Sequence, residues 1–106
     1  MMFNTGTSLL DAVVLSIVAR EQDGTYGYKI TQNVRNVIDV SESALYPVLR
    51  RLQTNDLLET YDKEFSGRNR RYYKITPQGM MELDSYRRDW VDYCKKINGI
   101  LLGEEV

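Results

Sequence analysis

From residue 9 to residue 19 the chain is almost continuously apolar: Leu9, Leu10, Ala12, Val13, Val14, Leu15, Ile17, Val18 and Ala19, with only Asp11 and Ser16 interrupting. The run predicts a helix capped by Thr7 or Ser8 and reaching about Glu21. Its apolar surface is wider than one core-facing stripe requires. Two readings stay open: a helix buried centrally in its own domain, or one that packs partly on a second subunit. After an exit turn at residues 22–25, a second helix opens at Tyr26 with Ile30 and Val34 on its inner face. It fades near Val37 into an extended connector at residues 38–40. A third helix then starts between Ser41 and Ser43. Leu45, Val48, Leu49 and Leu52 recur there at the i, i+3, i+4, i+7 spacing of one buried stripe. Pro47 lies close enough to the start that one backbone bond is lost.

Asn55 and Asp56 end that helix, and the period changes. Residues 57–63 and 71–75 read as two strands, with Tyr73 and Ile75 inward and Tyr72 and Lys74 outward. The tip between them, Ser66-Gly67-Arg68-Asn69-Arg70-Arg71, carries three guanidiniums. Thr76 and Pro77 then open a last helix as N-cap and first residue. From Met80 to Leu102 it has a seven-residue rhythm. Leu83, Trp90 and Ile97 form one series, and Tyr86, Tyr93 and Ile100 the interleaved one. This seam is longer than a small domain can cover, so the helix is expected to dimerise with help from Leu10 and Val14 of the first.

The predicted fold is mainly α with a small β-hairpin: a winged helix-turn-helix at residues 8–76 and a C-terminal dimerisation helix at residues 77–102, in one compact unit. The third helix hides its leucines and turns Tyr46, Arg50 and Gln53 outward, with Ser41, Glu42 and Ser43 at its start. Such a face suits a duplex major groove. Arg68, Asn69, Arg70 and Arg71 would reach phosphate or a minor groove, and Lys29 is available to a phosphate. Each has a plainer alternative. Arg50 and Arg51 can be solvated helix charges, Tyr46 a packing residue with a wet hydroxyl, and Glu42 a helix-dipole partner.

Net charge across the 106 residues is −1, which is unusual for a nucleic-acid binder. Its distribution changes that picture. Residues 41–76 carry seven basic and five acidic groups, net +2, against −1 before them and −2 after. The positive excess falls on the proposed reading unit. With no histidine and a single cysteine, Cys94, neither a zinc site nor an internal disulfide is expected. Cys94 reads as a small apolar filler beside the seam, with a redox role as the alternative. No phosphate loop, nucleophile elbow or convergent acid–base set is present, so catalysis and cofactors are not expected. No apolar run approaches the roughly 18 residues of a membrane span. The N-terminus lacks an export signal, and a cytoplasmic location is expected.

The segments YGYKI at 26–30, SALYPVLRRL at 43–52, NDLLET at 55–60 and RRYYKITPQG at 70–79, with the later Trp90, resemble the PadR family of bacterial transcriptional regulators. The resemblance runs from about Leu9 to Leu102. It implies a homodimeric winged-helix repressor that binds a double-stranded DNA operator and dimerises through its last helix. The length resembles the short subclass, which has one C-terminal helix. Some members of that subclass bind flat aromatic drugs between two copies of a tryptophan on that helix. Trp90, fourteen residues after Thr76, resembles that tryptophan in position, which implies a ligand platform and a small aromatic effector. Arg87 and Tyr93 depart from the more apolar lining of such sites. The competing class is a winged-helix protein-interaction module that uses its dimer seam and does not bind DNA.

Overall fold

The computed structural model describes residues 8–103. In chain order its elements are α1 (Ser8–Ala19), β1 (Thr25–Tyr26), α2 (Gly27–Arg35), α3 (Glu42–Thr54), β2 (Leu58–Phe65), β3 (Arg68–Ile75) and α4 (Pro77–Leu101). Thr7, expected as a cap, lies outside the described residues, and Ser8 is already helical. α1 ends at Ala19, two residues before the expected Glu21.

The core lies where the helices meet the inner face of the sheet. Val14, Leu15, Ile17 and Val18 of α1 pack with Ile30 and Val34 of α2, the leucine stripe of α3, and Leu57, Leu58, Tyr73 and Leu83. Val14 and Leu83, expected at a dimer seam, have no exposed surface and belong to this core. Their apolarity is spent within the chain.

The local sequence explains most element boundaries. Ser41 caps α3 by accepting from the backbone N–H of Ala44 at 3.2 Å. Pro47, the sixth residue of α3, cannot donate to the carbonyl of Ser43, so one bond is lost and the helix continues. At the other end Asp56 takes the left-handed conformation, φ 60°. Its N–H donates to the Gln53 carbonyl at 3.0 Å, and that of Leu57 donates to the Leu52 carbonyl at 2.9 Å. This paired closure ends the helix and turns the chain into β2.

The hairpin is longer than the residue pattern implies. β2 and β3 pair antiparallel from Leu58 opposite Ile75 to Phe65 opposite Arg68. The turn is only Ser66-Gly67, both at positive φ (52° and 77°), as a two-residue turn of matching twist requires. Arg68, Asn69, Arg70 and Arg71 are therefore strand residues rather than a loop tip. β1, within a segment read as a turn and a helix start, adds a third strand in the order β1-β3-β2. It places Thr25 opposite Tyr73 and Tyr26 opposite Tyr72.

Thr76 caps α4, accepting from the Gly79 N–H at 2.9 Å while its hydroxyl donates to the Asp56 carbonyl at 2.6 Å. α4 packs on α1 through its first half and then leaves the body of the domain. Its 25 residues span roughly 37 Å, which accounts for much of the 57 Å long dimension. Among the described residues no helix is long and apolar enough to cross a membrane.

Candidate nucleic-acid interface

α3 and the hairpin face each other across a groove of about 750 Å³. Tyr46, Arg50 and Gln53 line it from α3, Asn69, Arg70 and Arg71 from β3, and Tyr26, Gly27 and Tyr28 from the β1–α2 junction, with Tyr73 as its base. The spacing of 46, 50 and 53 puts the three α3 side chains on one side of the helix, opposite the buried stripe. The groove thus joins residues more than forty positions apart in one polar, arginine-bearing surface.

Strand alternation decides where each hairpin side chain goes. Tyr26, Tyr72 and Tyr61 stand directly opposite one another across the three strands. Tyr72 meets Tyr26 edge-on at 5.8 Å between ring centres and stacks on Tyr61 at 5.6 Å. The Arg70 guanidinium sits 4.2 Å from the ring centre of Tyr26 and 4.1 Å from that of Phe65. Two aromatic faces hold this cation in place while its N–H edges stay available. Arg68 and Asn69 are exposed, and Arg68 lies beside the turn, away from the groove lining.

Residues at the start of α3 are partly committed to the helix itself. Ser41 is its cap and lies 3.3 Å from the Ser43 hydroxyl. Tyr46, 41% exposed, donates its hydroxyl to Glu42 at 3.3 Å. Burial, and then the Glu42 charge, raises the Tyr46 hydroxyl above the ordinary tyrosine range, so it stays protonated at neutral pH. Glu42 lies in the first turn of α3, where a carboxylate suits the helix dipole. Lys29 pairs with Glu21 at 3.1 Å on the surface, a contact weak enough to exchange for a phosphate.

Arg51 is placed differently from its neighbour. Expected beside Arg50, it lies apart from the groove and pairs with Asp11 of α1. One residue along a helix turns a side chain by about 100°, which takes Arg51 to the rear of α3. Reasoning from sequence missed Tyr26 and Tyr28 as lining residues, and Phe65 as the second face of the Arg70 clamp. The three-strand register that gathers these aromatics has no short-range signature.

A second groove, about 530 Å³, runs between α1 and α4. Val13, Ser16 and Ile17 line it on one side and Tyr86, Arg87 and Trp90 on the other, with Val37 at one end. The Trp90 and Tyr93 rings are 5.9 Å apart. Of the remaining seam residues, Leu10, Tyr86, Tyr93 and Ile97 are half-buried, while Trp90 and Ile100 are 40% and 79% exposed. Among the described residues no cluster of His, Cys, Asp or Glu could hold a metal ion.

A capped helix and a basic hairpin framing one groove define a winged helix-turn-helix protein. Residues 14–85 match the model of the transcriptional regulator PadR-like family. The chain is 34% identical over 90 residues to a transcriptional regulator of Mycobacterium tuberculosis, an alignment covering 83% of this chain and 84% of that one. Its fold is similar to that of a Streptococcus mutans protein (TM-score 0.86, 33% identity, 100% of this chain and 98% of that one). It is also similar to a PadR-like transcriptional regulator of Bacillus cereus (TM-score 0.82, 31% identity, 94% of this chain and 98% of that one). The chain belongs to the PadR-like family of transcriptional regulators, which bind DNA and are not enzymes.

Proposed function

We propose that the protein is a homodimeric cytoplasmic repressor that binds a double-stranded operator through the groove between α3 and the hairpin. Two chains join along α4, helped by Leu10 of α1. Each α3 enters a major groove, with Arg50 and Tyr46 toward base edges, and the two half-sites lie roughly one helical turn apart. Arg70 and Arg71 grip the flanking backbone, with Arg68, Asn69, Lys29 and the Ser41–Ser43 end of α3 at the margins. A small aromatic molecule in the α1–α4 groove, against Trp90, releases the operator by changing the spacing of the two heads. It does so only to the extent that it prefers the released arrangement.

One observation carries the reading. Arg50 of α3 and Asn69, Arg70 and Arg71 of β3 converge on one groove, although the chain as a whole is slightly acidic. Duplex binding measured against salt tests it. Arg70→Ala with Arg71→Ala is expected to weaken binding to all duplexes and to lower the slope of log K against log salt by about two. Unchanged affinity and slope in that double variant would remove the hairpin from the interface. Failure of the wild type to bind any duplex would leave the exposed seam of α4 as the working surface, as in a protein-interaction module.

A further inference from the structure

Arg50 and Arg51 are consecutive on α3, yet only Arg50 lines the groove. The Arg51 guanidinium reaches Asp11, forty positions earlier, on α1. That carboxylate is set into the apolar face of α1, its side chain 13% exposed against 45% for Arg51. A buried acid without partners would be costly. Tyr86 of α4 lies close enough to feel that charge: burial first, and then the negative charges of Asp11 and Glu82, raise its hydroxyl above the ordinary tyrosine range. Tyr86 packs against the core and also lines the α1–α4 groove.

One polar node thus ties three elements: the rear of the reading helix, the central helix, and the helix that leaves the domain. Apolar packing alone tolerates small rotations and slides, whereas directional bonds to a buried carboxylate single out one arrangement. Buried ion pairs add little net stability as a rule, and holding one arrangement is their better-attested use.

We infer that Asp11, Arg51 and Tyr86 form a latch that sets the angle of α3 against α1 and α4. They are positioning residues for DNA binding that do not themselves touch DNA. The inference rests on the DNA-binding reading above. It also gives that reading a route: whatever displaces Tyr86 in the α1–α4 groove reaches α3 through Asp11.

The test uses the full chain and a duplex selected by the wild type from a random pool, at a temperature where every variant is folded by circular dichroism. Asp11→Asn and Arg51→Gln are each expected to weaken binding about fivefold or more. Their combination should be no weaker than either alone, because both break one link. The slope of log K against log salt should not change, since no phosphate contact is lost. Tyr86→Phe should give a smaller loss of the same kind, and Arg51→Lys should recover part of the affinity.

The opposite pattern overturns the latch. If Arg51 touches phosphate directly, Arg51→Gln lowers the slope by about one, and Asp11→Asn frees the guanidinium and leaves binding equal or tighter. Should Asp11→Asn fail to fold, Tyr86→Phe combined with Arg51→Gln serves instead, and fully additive losses count against the latch. A wild type that selects no duplex sinks the DNA-binding reading itself, and the latch with it. A wild type that binds while all these variants bind equally well sinks the latch alone.

Discussion

The two arginines of α3 differ in placement because of what surrounds each. Arg50 has a groove before it, while Arg51 has a buried carboxylate behind it. Residue type cannot make that distinction; only packing can. Gly79 makes the same point for stability. It is buried at the start of α4, and a Cβ there would run into the Leu57 carbonyl and, at 2.7 Å, into Ile75. The Leu57 carbonyl is backbone already accepting from the Thr76 N–H at 3.1 Å, so it has little room to retreat. Gly79→Ala is therefore expected to destabilise the protein by about 1–3 kcal/mol, read as a lower urea midpoint with an unchanged slope. An unaltered midpoint would mean that the α3–β2 corner yields more easily than its bonding indicates.

At the scale of elements, α3 and α4 were legible in the residue order because their signals are local. Leucine spacing, Ser41 and Thr76 as caps, and Pro77 at the first position all act within one or two turns of helix. The hairpin was legible in kind but not in length. Its last three pairs set Lys63, Glu64 and Phe65 against Arg70, Asn69 and Arg68, and such polar strand ends look like loop until paired. β1 is two residues long and exists only because β3 offers it an edge. Thr76 binds the sheet to α4 by capping the helix and by donating to the Asp56 carbonyl. Thr76→Ala is expected to cost about 1 kcal/mol or somewhat more, seen as a lower melting temperature that Thr76→Ser largely restores. Equal melting temperatures for Thr76→Ala and the wild type would show that Pro77 starts the helix unaided.

For the whole molecule, the distribution of surface matters more than net charge. The sum is −1, but the groove gathers Arg50, Arg70 and Arg71 while carboxylates on α4, such as Asp84 and Asp92, pair with Arg87 and Lys96. The far half of α4 keeps Trp90, Val91, Ile100 and Leu101 substantially exposed. The outer residues of the heptad stay on the surface, whereas Leu83 and Val14 are taken by the chain's own core. Periodicity cannot tell which neighbour an apolar face will meet, and that is why these two were misplaced. Trp90→Ala should weaken self-association by about tenfold or more, in line with truncation of a central aromatic residue in an interface. Sedimentation equilibrium would show it, and an unaltered dimer would place the seam elsewhere.

Paired reading heads on one face of a duplex can be examined directly by guanine N7 methylation interference on a selected operator. Methyl groups at N7 block the major groove and leave the minor groove open. The expected result is two patches of interference whose centres lie about 10 base pairs apart, weakened together in Arg50→Ala. Binding that ignores N7 methylation, or a single patch, would contradict entry of two α3 helices into successive major grooves.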